Sequence, residues 1–270
     1  MTQESEVPAA SGTSNRVSVV IPAKDDSDSL ARCLAALGAQ TRPPDEIIVV
    51  DNGSSDATPD VAAAAGATLV RCPEPGIPAA SAAAYDHATG ELILRLDADC
   101  VPSPRWVEAM ASAFEERPDV AVFTGGAAFI DGPHWLRRPL AAVYLGAYAV
   151  VVTPALGHLP LFGSNLALRR DAWHDVRATV HRHDGEIHDD LDLAFHIGEG
   201  HRIRFIRGAS MGMSMRPFSS ASSLVVRVRR GFRTVGVHWP RDFPPFRWLR
   251  LAVRARGSAV RLSPAPATRA

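Results

Sequence analysis

The sequence predicts an α/β domain built on a mostly parallel sheet flanked by helices. Two observations lead there. Short apolar, β-branched runs alternate with helix-patterned segments through the first hundred residues, the rhythm of repeated βαβ units. Three of those runs end in polar, acid-rich groups, and the strand ends of an open parallel sheet share one rim, where ligands bind.

VSVVIP (Val17–Pro22) is the first strand. Leu30, Cys33, Leu34 and Leu37 follow at helical spacing, with Asp28 placed to cap the helix. EIIVVD (Glu46–Asp51) is the second strand, and NGSSDAT turns the chain into an alanine-rich helix over Thr58–Ala65. ATLVRC (Ala67–Cys72) is the third strand, and a helix over Pro78–Thr89 leads to ELILRLDAD (Glu91–Asp99), the fourth. After Pro104, Trp106, Met110 and Phe114 share one helical face, and VAVFTGGAAF (Val120–Phe129) is a further strand. Beyond it the alternation fades. Between Leu224 and Val237, apolar residues at helical spacing are interleaved with Arg227, Arg229, Arg230 and Arg233, which predicts a basic amphipathic helix.

The chain of 270 residues is long enough to bury a core without covalent staples. Its three cysteines have no paired spacing, which argues against a disulfide framework and for a reducing compartment. Residues 1–15 are polar and lack the pattern of a signal peptide, so they and residues 258–270 are expected to be disordered tails. Residues 16–215 form the expected catalytic domain and 216–257 a basic helical extension. The net charge of zero hides an asymmetry: residues 201–270 hold 15 arginines and one acid, Asp242. Such a tail can meet a membrane surface, a phosphorylated acceptor or the acidic body itself. Pro139–Phe162 contains no charged side chain, enough length to span a bilayer. Motifs on both sides of it belong to one expected site, so it reads as a helix packed on the core or lying at a membrane interface.

Asp97-Ala98-Asp99 is the most informative triplet. Two carboxylates at the end of a buried strand repel each other, and Mg²⁺ or Mn²⁺ relieves that while binding phosphate oxygens. Alone, such a triplet also fits a surface turn. Asp51 can accept hydrogen bonds from a nucleoside, or cap the turn at Gly53-Ser54. Lys24 is the only lysine and sits where it could touch a phosphate or lie in solvent. His188-Asp189-Asp190 opens a helix, where carboxylates are stabilised by the dipole or serve as a general base. A zinc site among His181, His183 and His188 is disfavoured, because neither cysteine nor regular HxxxH spacing accompanies them.

Taken together, VSVVIPAKDDSDSLARCLAALGAQTRPPDEIIVVDNGSSDAT, GELILRLDADCVPSPRWVE, FGSNLALRRDAW and HDDLDLAFHI resemble family 2 glycosyltransferases of the GT-A fold, in order and spacing, over roughly residues 16–200. The resemblance implies an inverting nucleotide-sugar transferase. Pro22, Ala23, Lys24, Asp25, Asp51 and Asn52 would hold the nucleoside. Asp97 and Asp99 would bind the diphosphate through Mg²⁺ or Mn²⁺, with Asp99 the more direct ligand. Gly163, Ser164, Asn165 and Asp189 would line the sugar and acceptor pocket, and Asp190 would be the catalytic base. The family's Arg-Asn after Gly76-Ile77-Pro78 is replaced by Ala80-Ser81-Ala82-Ala83, so a phosphate contact is expected from elsewhere, with Arg169 or the basic tail as sources. The first loop, Lys24-Asp25-Asp26, also departs from the family's usual aromatic or Asn-Glu.

A UDP-sugar is expected ahead of a GDP-sugar as donor, and a glycan or lipid-linked molecule as acceptor, a lipid link accounting for both the basic tail and the 139–162 run. Aromatics among the tail's arginines suit peripheral membrane contact through 219–250, on a cytoplasmic protein. The acidic body argues against nucleic acid. Two rival readings remain. A degenerate, scaffolding transferase would lack metal or base carboxylates, which are present here. A nucleotidyltransferase needs a glycine-rich loop after its first strand, and IPAKDDSDS has no glycine.

Overall fold

The computed structural model describes residues 15–216 and 221–261. Residues 1–14 and 262–270 of the expected tails lie outside the described residues. The first hundred residues run β1 (Val17–Ala23), α1 (Ser27–Gly38), β2 (Glu46–Asp51), α2 (Thr58–Ala64), β3 (Thr68–Arg71), α3 (Ile77–His87) and β4 (Leu92–Arg95). There follow β5 (Val101–Pro102), α4 (Trp106–Glu116), β6 (Val122–Phe129), α5 (His134–Leu156), a 3₁₀ turn (Gly163–Asn165) and β7 (Leu166–Arg169). Next come α6 (Arg170–Val176), α7 (Asp189–Gly200), β8 (Ile203–Met213), α8 (Ala221–Val237) and α9 (Pro244–Arg261). Residues 258–261, expected in a tail, thus continue α9.

One sheet carries the strands in the order β3-β2-β1-β4-β7-β6-β8-β5. β1 pairs parallel with β2 and β4, β2 with β3, and β6 with β8. β7 enters antiparallel between β4 and β6. Its four residues, LALR, are too short for a clear alternation, which is why the sequence pattern does not reveal it.

The strand period of two sorts the core. Val17, Val19 and Ile21 of β1 face one cluster with Leu30, Leu37, Trp106, Met110 and Phe114. Val20 points to the other face, with Ile48, Val50, Tyr85, Trp173 and Phe195. Helices on both faces are what makes these strands near-continuously apolar.

Three expectations need correction. The strand expected over Glu91–Asp99 ends at Arg95, and the chain turns at Asp97, whose carbonyl accepts from Cys100 N at 3.0 Å. Helix α1 begins at Ser27, so Asp28 lies in its first turn and Asp26 precedes it. Helix α5 begins before the uncharged run and ends within it, at Gly157 in the left-handed region (φ 75°). It does not pack on the core along its length: only Ala141, Val152 and Leu156 are buried.

The C-terminal helices dock on the body. Arg247 of α9 is fully buried, donating from Nε to Leu156 O (2.6 Å) and from Nη2 to Phe195 O (2.9 Å). Its Nη1 pairs with Asp242 at 2.9 Å. A buried charge is tolerated only with such partners, so this arginine ties α9 to α5 and α7. Arg233 pairs with Asp184 (2.7 Å), Arg241 and Arg254 with Glu199 (3.1 and 3.2 Å), and Arg229 with Glu186. The basic tail therefore engages the acidic body.

Candidate active site

Because β1, β2 and β4 are parallel, their carboxyl ends share one edge. The loops after β1 and β2 are laced together there. Asn52 N donates to Ala23 O at 2.9 Å, and Asp25 N to Ser54 Oγ at 3.0 Å. Asp25 adopts φ 48°, uncommon for a residue with a side chain, and its Oδ1 accepts from Ser55 N at 2.7 Å. Pro22 is half-buried, Ala23 buried and Lys24 exposed. Asp51 is buried, and its Oδ1 accepts from Ser54 N at 2.9 Å, the turn-capping geometry.

Asn52 departs from the nucleotide-binding expectation. It is buried, its Nδ2 donates to Cys72 O (3.1 Å) and Glu74 O (2.6 Å), and its Oδ1 accepts from Gly76 N (2.8 Å). With its amide fully used, it fixes the loop before α3 instead of facing a ligand.

Beyond β4, Asp97 and Asp99 lie in a turn and remain partly exposed. Asp97 Oδ1 accepts from Arg95 Nη2 at 2.9 Å, and Ser164 Oγ donates to its Oδ2. Asp99 lies 3.4 Å from Arg216 Nε. Burial, then the Asp97 charge, push the Asp99 carboxyl up to about 6, against the pull of Arg216. The pair thus carries charge that the surrounding side chains compensate incompletely, and its oxygens suit a hard divalent cation. Cys100 is adjacent, but burial raises its thiol well above the ordinary range and keeps it protonated.

The second acidic pair comes from the N-terminus of α7. Asp190 Oδ2 accepts from Gly163 N at 3.1 Å, and Asp189 Oδ2 from Ser81 Oγ at 2.8 Å. Burial, then Asp189 beside it, push the Asp190 carboxyl above the ordinary range, with His188 and Arg95 acting the other way. A carboxylate so raised is a better proton acceptor.

Arg95 joins the two pairs. Its side chain is 4% exposed, and Nη2 lies 2.9 Å from Asp97 and 3.2 Å from Asp189. Sequence reasoning missed this residue, although an arginine closing a buried strand, two positions before Asp97, is itself a signal. Arg216 was missed too; it reaches Asp26 and Asp99 from beyond β8. Arg169 is not a source of the expected phosphate contact: it donates to Val120 O (3.0 Å) and Phe114 O (3.0 Å).

Asn165 departs from the pocket-lining expectation. It is fully buried, accepts from Trp106 Nε1 (2.8 Å), and donates to Gly126 O and Ala209 O (both 2.8 Å). Gly163 and Ser164, by contrast, contact Asp190 and Asp97. Two buried polar atoms near the acidic pairs, Arg95 Nε and Tyr148 Oη, have no hydrogen-bond partner. Unsatisfied buried groups are rare unless a ligand or water completes them. Helix α8 covers the second pair from outside, where His188 N donates to Thr234 Oγ1 at 2.9 Å and His188 Nε2 lies 3.1 Å from Arg227 O.

Residues 18–176 match the model for glycosyl transferase family 2. The chain is 33% identical over 100 residues to glycosyltransferase AglE of Haloferax volcanii, covering 34% of this chain and 33% of that protein. It is 34% identical over 115 residues to the undecaprenyl-phosphate 4-deoxy-4-formamido-L-arabinose transferase of Serratia proteamaculans, covering 39% and 35%. The chain thus spans about a third of the length of these two relatives. Its fold is similar to a mannosyltransferase from Pyrobaculum calidifontis solved with GDP-Man and Mn²⁺ (TM-score 0.62, 20% identity, 93% of this chain and 77% of that one). It is also similar to glucosyl-3-phosphoglycerate synthase from Mycobacterium tuberculosis solved with Mn²⁺, UDP and phosphoglyceric acid (TM-score 0.60, 20% identity, 82% and 77%).

Proposed function

The chain belongs to glycosyl transferase family 2, and from that premise we propose that it transfers a sugar from a nucleotide-diphosphate sugar to an acceptor hydroxyl with inversion. The observation that carries this reading is the approach of two acidic pairs, Asp97/Asp99 and Asp189/Asp190, bridged by one buried arginine. One pair suits a diphosphate and its cation, and the other suits a proton in transit.

Asp190 takes the proton from the acceptor hydroxyl. The hydroxyl oxygen forms its bond to the anomeric carbon while the bond to the nucleotide diphosphate breaks on the opposite face. Configuration at that carbon inverts. Arg95 bridges Asp97 and Asp189, while burial and the neighbouring Asp189 charge raise the Asp190 carboxyl. Asp97 and Asp99 would hold Mg²⁺ or Mn²⁺, which would neutralise the charge of the departing diphosphate. Pro22, Ala23, Lys24, Asp25 and Asp51 border the nucleoside, and Gly163, Ser164 and Asp189 the sugar. A UDP-sugar leads as donor, with a GDP-sugar next; the two solved relatives of this fold carry UDP and GDP-Man.

The acceptor is lipid-linked in this reading, and the reaction runs at the cytoplasmic side of a membrane. Helix α5 supports it: it is long and apolar enough to cross a bilayer, yet residues before and after it meet at one site, through Ser164 with Asp97. A spanning helix would separate them, so α5 lies along the interface. Val143, Val150 and Val151 on it are about 70% exposed.

Calorimetry of the purified chain against UDP-, GDP- and dTDP-sugars, with and without Mn²⁺, tests the reading. Metal-dependent binding of one donor, lost in Asp99→Ala, is the expected result. A folded protein that binds no donor would establish the scaffolding alternative instead.

A further inference from the structure

Away from the acidic pairs, four side chains from three parts of the chain converge. His181 lies in the loop before α7, Asp192 and His196 are one turn apart on α7, and His238 directly follows α8. Their ligand-type atoms all lie within 4.8 Å of one another. Asp192 Oδ1 is 2.6 Å from His181 Nδ1, 3.0 Å from His238 Nε2 and 3.5 Å from His196 Nε2. We propose that His181, Asp192, His196 and His238 form a zinc site that fastens the C-terminal helices to the catalytic body.

Three features argue for a metal over hydrogen bonds alone. First, the shape fits. In a tetrahedral site with zinc–nitrogen bonds of about 2.0–2.1 Å, donor atoms stand about 3.3 Å apart; here the three ring nitrogens lie 2.6–3.5 Å from Asp192 Oδ1 and all four atoms within 4.8 Å of one another. The three imidazole rings surround a common point, with centroids 5.0, 5.1 and 5.5 Å apart. Second, hydrogen bonding does not satisfy the cluster. Three ring nitrogens crowd one carboxylate oxygen, while the other oxygen already accepts from His181 N at 2.9 Å. His196 Nε2 is buried and has no partner of good geometry. Third, the outer nitrogens of two of the three histidines face polar partners, as those of metal-bound histidines do. His196 Nδ1 lies 3.1 Å from Thr179 Oγ1, and His238 Nδ1 lies 3.8 Å from Asp242, which Arg247 holds in turn. Imidazole with one carboxylate is a zinc donor set, and four protein ligands make a closed, structural site.

The sequence disfavoured zinc among His181, His183 and His188, and of these three only His181 joins the cluster. His183 instead lies 2.7 Å from Glu74, and His188 turns to the α8 backbone. The ligands found here are separated by as many as 57 positions, from His181 to His238, so local spacing could not reveal them.

The full chain, untagged and expressed with added zinc, should purify with stoichiometric zinc by mass spectrometry. Asp99→Ala should keep that zinc. His238→Ala should lose it, and His181→Ala, a change at the more exposed rim, should lose at least half without unfolding. Stripping the metal should lower the melting temperature and speed proteolysis within α8 and α9, and zinc should restore both. Zinc-free wild-type protein whose melting temperature ignores added zinc would overturn the proposal. So would zinc retained in full by both histidine variants.

Discussion

Gly163 and Arg95 are packed so closely that a Cβ on the glycine would overlap Arg95 Nη1. The guanidinium cannot swing away cheaply, since Asp97 and Asp189 hold it and it is buried. Gly163 also donates its backbone N–H to Asp190. Gly163→Ala is therefore expected to destabilise the fold by about 1–3 kcal/mol and to weaken both donor binding and turnover. Urea unfolding with donor titration measures this. An alanine variant that is as stable and active as the wild type would show that Arg95 has another resting place.

Asp190→Asn keeps the shape of the side chain and removes the base. Donor affinity should stay within a few-fold, while turnover falls by about 10²–10⁴-fold. Transfer to a wide acceptor panel reads the second number, and calorimetry the first. Near-normal turnover would move the base to another group.

Trp106 and Asn165 distinguish a structural amide from a pocket one. Trp106→Phe leaves Asn165 Oδ1 buried without its 2.8 Å donor. The expected loss is about 1–3 kcal/mol of stability with donor affinity unchanged. Reduced affinity at unchanged stability would return Asn165 to the sugar pocket.

The docking of α9 should weaken in acid. Burial alone would raise the Asp242 carboxyl, but His238 and Arg247 outweigh it and hold it at about 2. A depressed carboxyl stabilises the fold above its ordinary 3.8 and loses that contribution as pH falls toward about 2. The contribution is on the order of 2 kcal/mol. Asp242→Asn should flatten this part of the pH profile of the melting temperature. An unchanged profile would mean that other carboxyls control it.

Val143→Asp and Val150→Asp place charge on the exposed face of α5. Both should reduce flotation with anionic vesicles several-fold and leave melting temperature unchanged. Wild-type protein that does not float at all would remove the membrane from the proposed reaction.

The α/β class and most of its first half are legible in the order of residues, because β1, β2 and β4 are short apolar runs and the helices between them keep a helical period. The sequence also singled out Asp97, Asp99 and Asp190, but through the ordered set of motifs, since an acidic triplet alone fits a surface turn and acids at a helix start are stabilised by the dipole. What those residues meet depends on long-range folding. Arg95 acquires its role from β7 and α7 arriving beside β4, which brings Asp189 to 3.2 Å from a residue 94 positions earlier. Asn52 and Asn165 look like binding residues in their motifs, yet their amides are consumed by backbone groups and, for Asn165, the Trp106 indole, which only folding places nearby. The basic tail, ambiguous as a run of arginines, meets the acids on α7 and the preceding loop. Local periodicity encodes elements; long-range hydrogen bonds and charge pairing assign their residues to structure or to chemistry.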